Sequence, residues 1–164
     1  MRVEKEQKVV IFLPMLKEFG DFPGFPEPCL SEIRKQFPAL HLVSVQEKEV
    51  LLEEIADAQV YFTWGIENDV FHAARQLRWV HMPAAGVEWC LFPEMVGSKI
   101  ILTNSSGMFG GCMAECVLGM MISLAHRLHE CMRYQFEGRW GVAELMHSWS
   151  IWDELQGKTV GIIG

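Results

Sequence analysis

No run of lysine and arginine interleaved with aromatic side chains occurs in the 164 residues, and the formal net charge is −7. Nucleic-acid binding needs a basic face that neutralises phosphates, so that class of partner is excluded. Long apolar runs are missing too. Val9–Leu13 is too short for a signal-peptide core. No segment approaches the roughly 18 to 20 apolar residues of a membrane span. The expectation is a cytoplasmic protein with no membrane partner. Five cysteines are present: Cys29, Cys90, Cys112, Cys116 and Cys131. An odd count at irregular spacing builds no disulfide framework and suits a reducing compartment. Half of the residues are hydrophobic and 21% are charged, which supplies a core and excludes wholesale disorder.

What is present is an alternation of short strand and helix patterns. Val9–Leu13 is a continuous β-branched and aromatic run closed by Pro14, as suits a strand buried on both faces. Phe19–Pro28 is rich in proline and glycine and reads as a loop. Glu27–Phe37 has helical spacing. Strands are expected over Leu40–Val45, Ala58–Phe62, Leu77–Met82 and Lys99–Thr103. Short helices are expected over Val50–Ala56 and Asn68–Arg75, the latter capped by Asn68. Strands and helices trading places every dozen residues predict an α/β fold, a flavodoxin-like parallel sheet flanked by helices.

The later part differs. Met113, Val117, Met120, Leu124, Leu128 and Cys131 recur at intervals of three and four, predicting one long helix over Gly110–Phe136 that leaves the first domain. Gly138–Glu154 carries three tryptophans without a clear period and reads as an irregular arm. The last residues, Gly157–Gly164 (GKTVGIIG), read as a buried strand delivering a glycine to a turn.

Two stretches carry chemistry. Pro83-Ala84-Ala85-Gly86 closes a parallel strand with small residues. Such a turn either connects strand to helix tightly or presents bare backbone N–H groups to an anion. Thr63-Trp64-Gly65 closes the neighbouring strand. It would form the other wall of the same pocket or serve only in packing. Glu115, in the first turn of the long helix, is read as matching the helix dipole, and Asn104 as pinning the strand-end turn. Cys112 and Cys116 are one turn apart, but His129 and Cys131 lie roughly 20 Å further along a helix at 1.5 Å per residue, too far to complete a metal site. No metal is expected.

In order, "LRWVHMPAAGVEWCLFPEM" (77–95), "ILTNSSGMFGGCMAECVLGMMISLAHRL" (101–128), "GRW" (138–140) and "ELQGKTVGIIG" (154–164) resemble the D-isomer-specific 2-hydroxyacid dehydrogenase family. The resemblance covers Ala58–Gly164. It implies a substrate domain over residues 1–107. Residues 108–164 would hold a long crossing helix, an arm and the first strand of a truncated Rossmann, NAD(P)-binding domain, so the sequence is read as the N-terminal portion of a longer oxidoreductase.

By that resemblance the Ala85 and Gly86 amides grip the carboxylate of a small 2-hydroxy or 2-oxo acid, with Trp64 and Gly65 as the opposite wall. Phe109 and Met113 would face the nicotinamide of NAD or NADP, and Gly164 would open the GxGxxG loop. Phe109 stands where some family members place asparagine, which implies a more apolar pocket. The catalytic His, its carboxylate partner and the substrate-holding Arg would lie beyond residue 164. None of His41, His72, His81, His126, His129 and His147 falls at a matching motif. The portion alone is therefore expected to be inactive, with homodimerisation through the helix Gly111–Phe136. The alternative is a non-catalytic, flavodoxin-like binding module that dimerises.

Overall fold

The computed structural model describes residues 7–13, 25–147 and 154–163. The chain divides into two compact units, Met1–Met108 and Phe109–Gly164.

The first unit is a five-stranded sheet in the order β2-β1-β3-β4-β5. The strands are β1 Gln7–Phe12, β2 Leu40–Val45, β3 Val60–Thr63, β4 Trp79–Met82 and β5 Ile101–Asn104, all parallel. The helices between them are α1 Glu27–Gln36, α2 Lys48–Glu54, α3 Asn68–Ala73 and α4 Pro93–Val96, with single 3₁₀ turns at Ile55–Asp57 and Glu88–Cys90.

Side-chain alternation along each strand divides the interior in two. Val10, Phe12, Tyr61, Val80 and Met82 face Leu51, Ile55, Val70 and Met95 in one cluster. Ile11 and Leu42 meet Leu30 in the other, with Phe25, Ile33 and Phe62 at its edge. Parallel strands buried on both faces explain the continuous apolar run of β1. Asn68 does not cap α3. Glu67 holds the cap position without a side-chain bond, and the Asp69 carboxylate instead accepts from the Val70 N–H at 2.8 Å.

The second unit departs from the single long helix. Gly110–Ala125 (α5) and Leu128–Phe136 (α6) are separate and bent by 73°. Arg127 breaks the ladder with a left-handed φ of 52°, and its guanidinium pairs with Glu130 at 2.5 Å. No residue of α5 is buried within the chain.

The expected irregular arm contains a helix, α7 Val142–His147. Gly141 lets the arm close onto α6. An ideal Cβ there would run into the Tyr134 ring, whose face also carries the Arg139 guanidinium at 4.3 Å. The final strand does not form: residues 158–163 pair with nothing as a ladder, and Val160, Ile162 and Ile163 are exposed. A strand needs a neighbour to take its hydrogen bonds, and none reaches it among the described residues.

Candidate functional site

The carboxyl ends of β3 and β4 bring two loops together. After β3, the Thr63 hydroxyl donates to the Gly65 carbonyl at 2.7 Å and accepts from the Gly65 N–H at 3.3 Å. This two-way bond bends the chain immediately past the strand. Gly65 then meets the 3₁₀ turn after β4: an ideal Cβ on it would stand 3.0 Å from Trp89 Cβ, and the Ile66 N–H points to the Trp89 carbonyl at 3.4 Å. The absence of a side chain at Gly65 is what lets the two loops touch. Trp64 is half-buried, and its indole N–H is buried without an acceptor among the described residues.

The turn after β4 is held from the other side, by β5. The Ser105 N–H donates to the Ala84 carbonyl at 3.0 Å. The Asn104 side-chain amide donates to the Ala85 carbonyl at 2.5 Å. Both peptide units are trans, and in a trans peptide the N–H points opposite to the C=O. Two consecutive carbonyls drawn towards β5 therefore turn the Ala85 and Gly86 N–H groups away from it, to the side where β3 ends. Neither N–H donates to any group among the described residues. Two adjacent, unengaged amides aimed alike form the kind of concavity that holds an oxyanion.

The charge around this turn is less simple. The Glu88 carboxylate lies over Gly86, its Cδ 3.1 Å and Oε1 3.2 Å from the position of an ideal Cβ. Glu88 is exposed, so its side chain can rotate away when an anion arrives. Cys90, fully buried below the turn, has its thiol pushed up by burial. It stays protonated and unreactive.

Of the residues singled out in the sequence, Trp64, Gly65, Ala85 and Gly86 come together at the sheet's carboxyl end. Phe109 and Met113 belong to the second unit, where both are exposed: Phe109 precedes α5 and Met113 lies in its first turn. Gly164 lies outside the described residues. Residues 158–163 form neither strand nor glycine-rich loop, so no dinucleotide cradle is assembled among the described residues. Asn104 pins the turn, as its position suggested. The bond from Ser105 is invisible to sequence reading, because its partner, Ala84, follows another strand about twenty residues away. The second unit also has a cavity of about 620 Å³ lined by Tyr134, Arg139, Trp140, Val142, Leu145 and Met146 among others. Trp64, Gly65, Ala85, Gly86, Phe109 and Met113 are not among its lining residues.

No protein-family model matches the sequence. Curated relatives do. The glyoxylate reductase of Korarchaeum cryptofilum is 30% identical over 148 residues, 85% of this chain and 43% of that protein. The glyoxylate reductase of Thermococcus kodakarensis is 30% identical over 159 residues, 93% of this chain and 43% of that protein. The D-3-phosphoglycerate dehydrogenase of Rattus norvegicus is 27% identical over 143 residues. The chain thus spans less than half the length of these relatives. Among solved structures, a D-isomer specific 2-hydroxyacid dehydrogenase family protein from Aeromonas salmonicida superposes with a TM-score of 0.62 at 20% identity, covering 82% of this chain and 41% of that one. D-lactate dehydrogenase from Aquifex aeolicus, solved with NAD and lactic acid, gives 0.61 at 14% identity, covering 80% and 38%.

Proposed function

We propose that this chain, which belongs to the D-isomer-specific 2-hydroxyacid dehydrogenase family, supplies the carboxylate-binding half of an oxidoreductase cleft. The complete protein would transfer a hydride between NAD or NADP and a small 2-hydroxy or 2-oxo acid. The observation that carries this reading is the pair of free amides at Ala85 and Gly86, aimed by the bonds that Ser105 and Asn104 make to the preceding carbonyls. An α-carboxylate accepts both N–H groups, and Trp64-Gly65 bounds the space beside it. Charge-assisted bonds of this kind contribute about 1.5–3 kcal/mol each. That is enough to fix which end of a small acid faces the protein. The nicotinamide supplies the hydride when bound. The described residues do not form its cradle, so they orient the acid and leave redox chemistry to the rest of the protein.

Names of relatives and neighbours support the reading. The curated ones are reductases and dehydrogenases of small acids, and neighbouring folds were solved with NAD. They do not favour a non-catalytic module. The test is absorbance at the nicotinamide band with the full-length protein, both reduced cofactors, and a panel of glyoxylate, hydroxypyruvate and pyruvate. Turnover of at least one acid is expected from the full-length protein and none from residues 1–164 alone. A full-length protein inert towards every acid with both cofactors would refute the assignment.

The proposed assembly is a homodimer through the helical region Gly111–Phe136. A helix that is apolar over most of its surface belongs in an interior, yet Met113, Val117, Leu118, Met120 and Leu124 are all exposed within one chain. Sedimentation is expected to give a dimer for the full-length protein and a monomer for its Leu124→Glu variant. A parent protein that sediments as a monomer counts against this interface. The proposed compartment is the cytoplasm, on the odd cysteine count.

A further inference from the structure

Between β4 and β5 a row of polar side chains runs along the two paired strands and ends at the turn that presents the free amides. Trp79 Nε1–H can only donate, and it reaches Thr103 Oγ1 at 2.8 Å. The same oxygen lies 2.8 Å from His81 Nδ1. The other ring nitrogen, Nε2, lies 3.1 Å from Ser105 Oγ. Either tautomer of the His81 ring keeps both bonds: with the proton on Nε2 the ring donates to Ser105 Oγ and accepts at Nδ1 from the Thr103 hydroxyl, and with the proton on Nδ1 it donates to Thr103 Oγ1 and accepts at Nε2 from the Ser105 hydroxyl. The chain of bonds continues through the backbone, since the Ser105 N–H donates to the Ala84 carbonyl.

We infer that His81 is a positioning residue for the amide cradle: it holds Ser105 at its side chain while the Ser105 backbone holds Ala84, which sets the tilt of the peptide plane carrying the Ala85 N–H. This rests on the proposal that the cradle binds an acid's carboxylate. His81 touches neither cradle nor ligand. Its ring is stacked on Phe62 at 5.4 Å and 28° and edge-on to Trp79, so it cannot tip without disturbing two neighbours. An arrangement serving packing alone would need only the ring. The bonds at both nitrogens are what reach the turn, and a group held loosely by a single bond positions poorly.

The experiment separates ring from bonds. Oxamate, an inert analogue of a 2-oxo acid, is titrated into the full-length protein and followed at the backbone amide resonances of Ala85 and Gly86. His81→Phe keeps the stacking surface and removes both bonds. It is expected to weaken oxamate about tenfold and to shift the Ala85 amide resonance even without ligand. His81→Gln, whose amide carries both a donor and an acceptor, restores a hydrogen-bonding group towards Ser105 and Thr103 and is expected to bind within about threefold of the parent. Ser105→Ala cuts the same chain without altering the ring and should weaken oxamate as His81→Phe does, which keeps the test open if His81→Phe folds poorly. Parent and both bond-breaking variants binding oxamate equally would overturn the role of His81 and leave the cleft reading standing. Oxamate failing to move the Ala85 and Gly86 resonances of the parent would overturn the cleft reading, and this inference with it.

Discussion

Replacing Tyr61 by alanine is expected to remove about 3–5 kcal/mol of stability, the range for emptying a large aromatic from a core. Tyr61 is 1% exposed and lies in β3, the strand paired to both β1 and β4. Its ring belongs to the cluster that α2, α3 and α4 build against one face of the sheet. A domain of this size holds about 5–15 kcal/mol in total, so one cavity removes a large share. The urea midpoint should fall by about 2 M or more, and a midpoint close to the parent's would mean that the ring does not anchor the core.

Tyr61→Phe separates the hydroxyl from the ring. Burial is the largest influence on the phenol and pushes its pKa above the ordinary 10.0, against a smaller opposing effect of the Thr63 hydroxyl. Above pH 10 the unfolded chain gives up that proton while the folded chain keeps it. The contribution is therefore intact below pH 10 and declines as pH rises beyond it. Tyr61→Phe should abolish this part of the alkaline decline while keeping the ring in the core.

The sheet was legible for a simple reason. A parallel strand buried on both faces leaves a run of β-branched and aromatic residues bounded by polar ones, and β2 falls on Leu40–Val45 at both ends. Helix α1 begins at Glu27 with Pro28 in its first turn, where proline's fixed φ suits the helix and its missing N–H costs no intrahelical bond.

The break between α5 and α6 was not legible. Neither glycine nor proline marks it, and the apolar spacing runs across it undisturbed. An arginine in the left-handed region is held there by a partner three residues on, which periodicity does not register. The expected last strand is the opposite case: Val160–Ile163 has the composition of a buried strand, but a ladder forms only where a neighbour completes it, and none does so among the described residues. In the site, the small residues at 83–86 gave the turn away. The direction of its amides depends on Asn104 and Ser105, which belong to another strand, and no local pattern announces that bond.

Gly86→Val is expected to raise the oxamate dissociation constant about 30-fold or more while leaving the unfolding midpoint nearly unchanged. The two halves have separate physical causes. Gly86 is not among the glycines with positive φ, which among the described residues are Gly107, Gly138 and Gly157, so its backbone admits an L-residue without strain. The nearest atoms an added Cβ meets are those of the Glu88 carboxylate, the far end of an exposed side chain that can swing into water. The fold therefore has little to lose. Binding loses more, because a branched side chain beside the Gly86 N–H crowds the approach to both amides, and forfeiting charge-assisted bonds of about 1.5–3 kcal/mol apiece accounts for a change of that size. Gly65→Ala makes the contrast. Its Cβ would stand 3.0 Å from Trp89 Cβ and 3.4 Å from the Trp89 carbonyl oxygen, atoms at or on the backbone that cannot step aside. It should lower stability and binding together, as the two loops are forced apart. Equal oxamate affinity in Gly86→Val and parent would mean that no ligand approaches the Gly86 amide, and the cleft would have to be sought elsewhere.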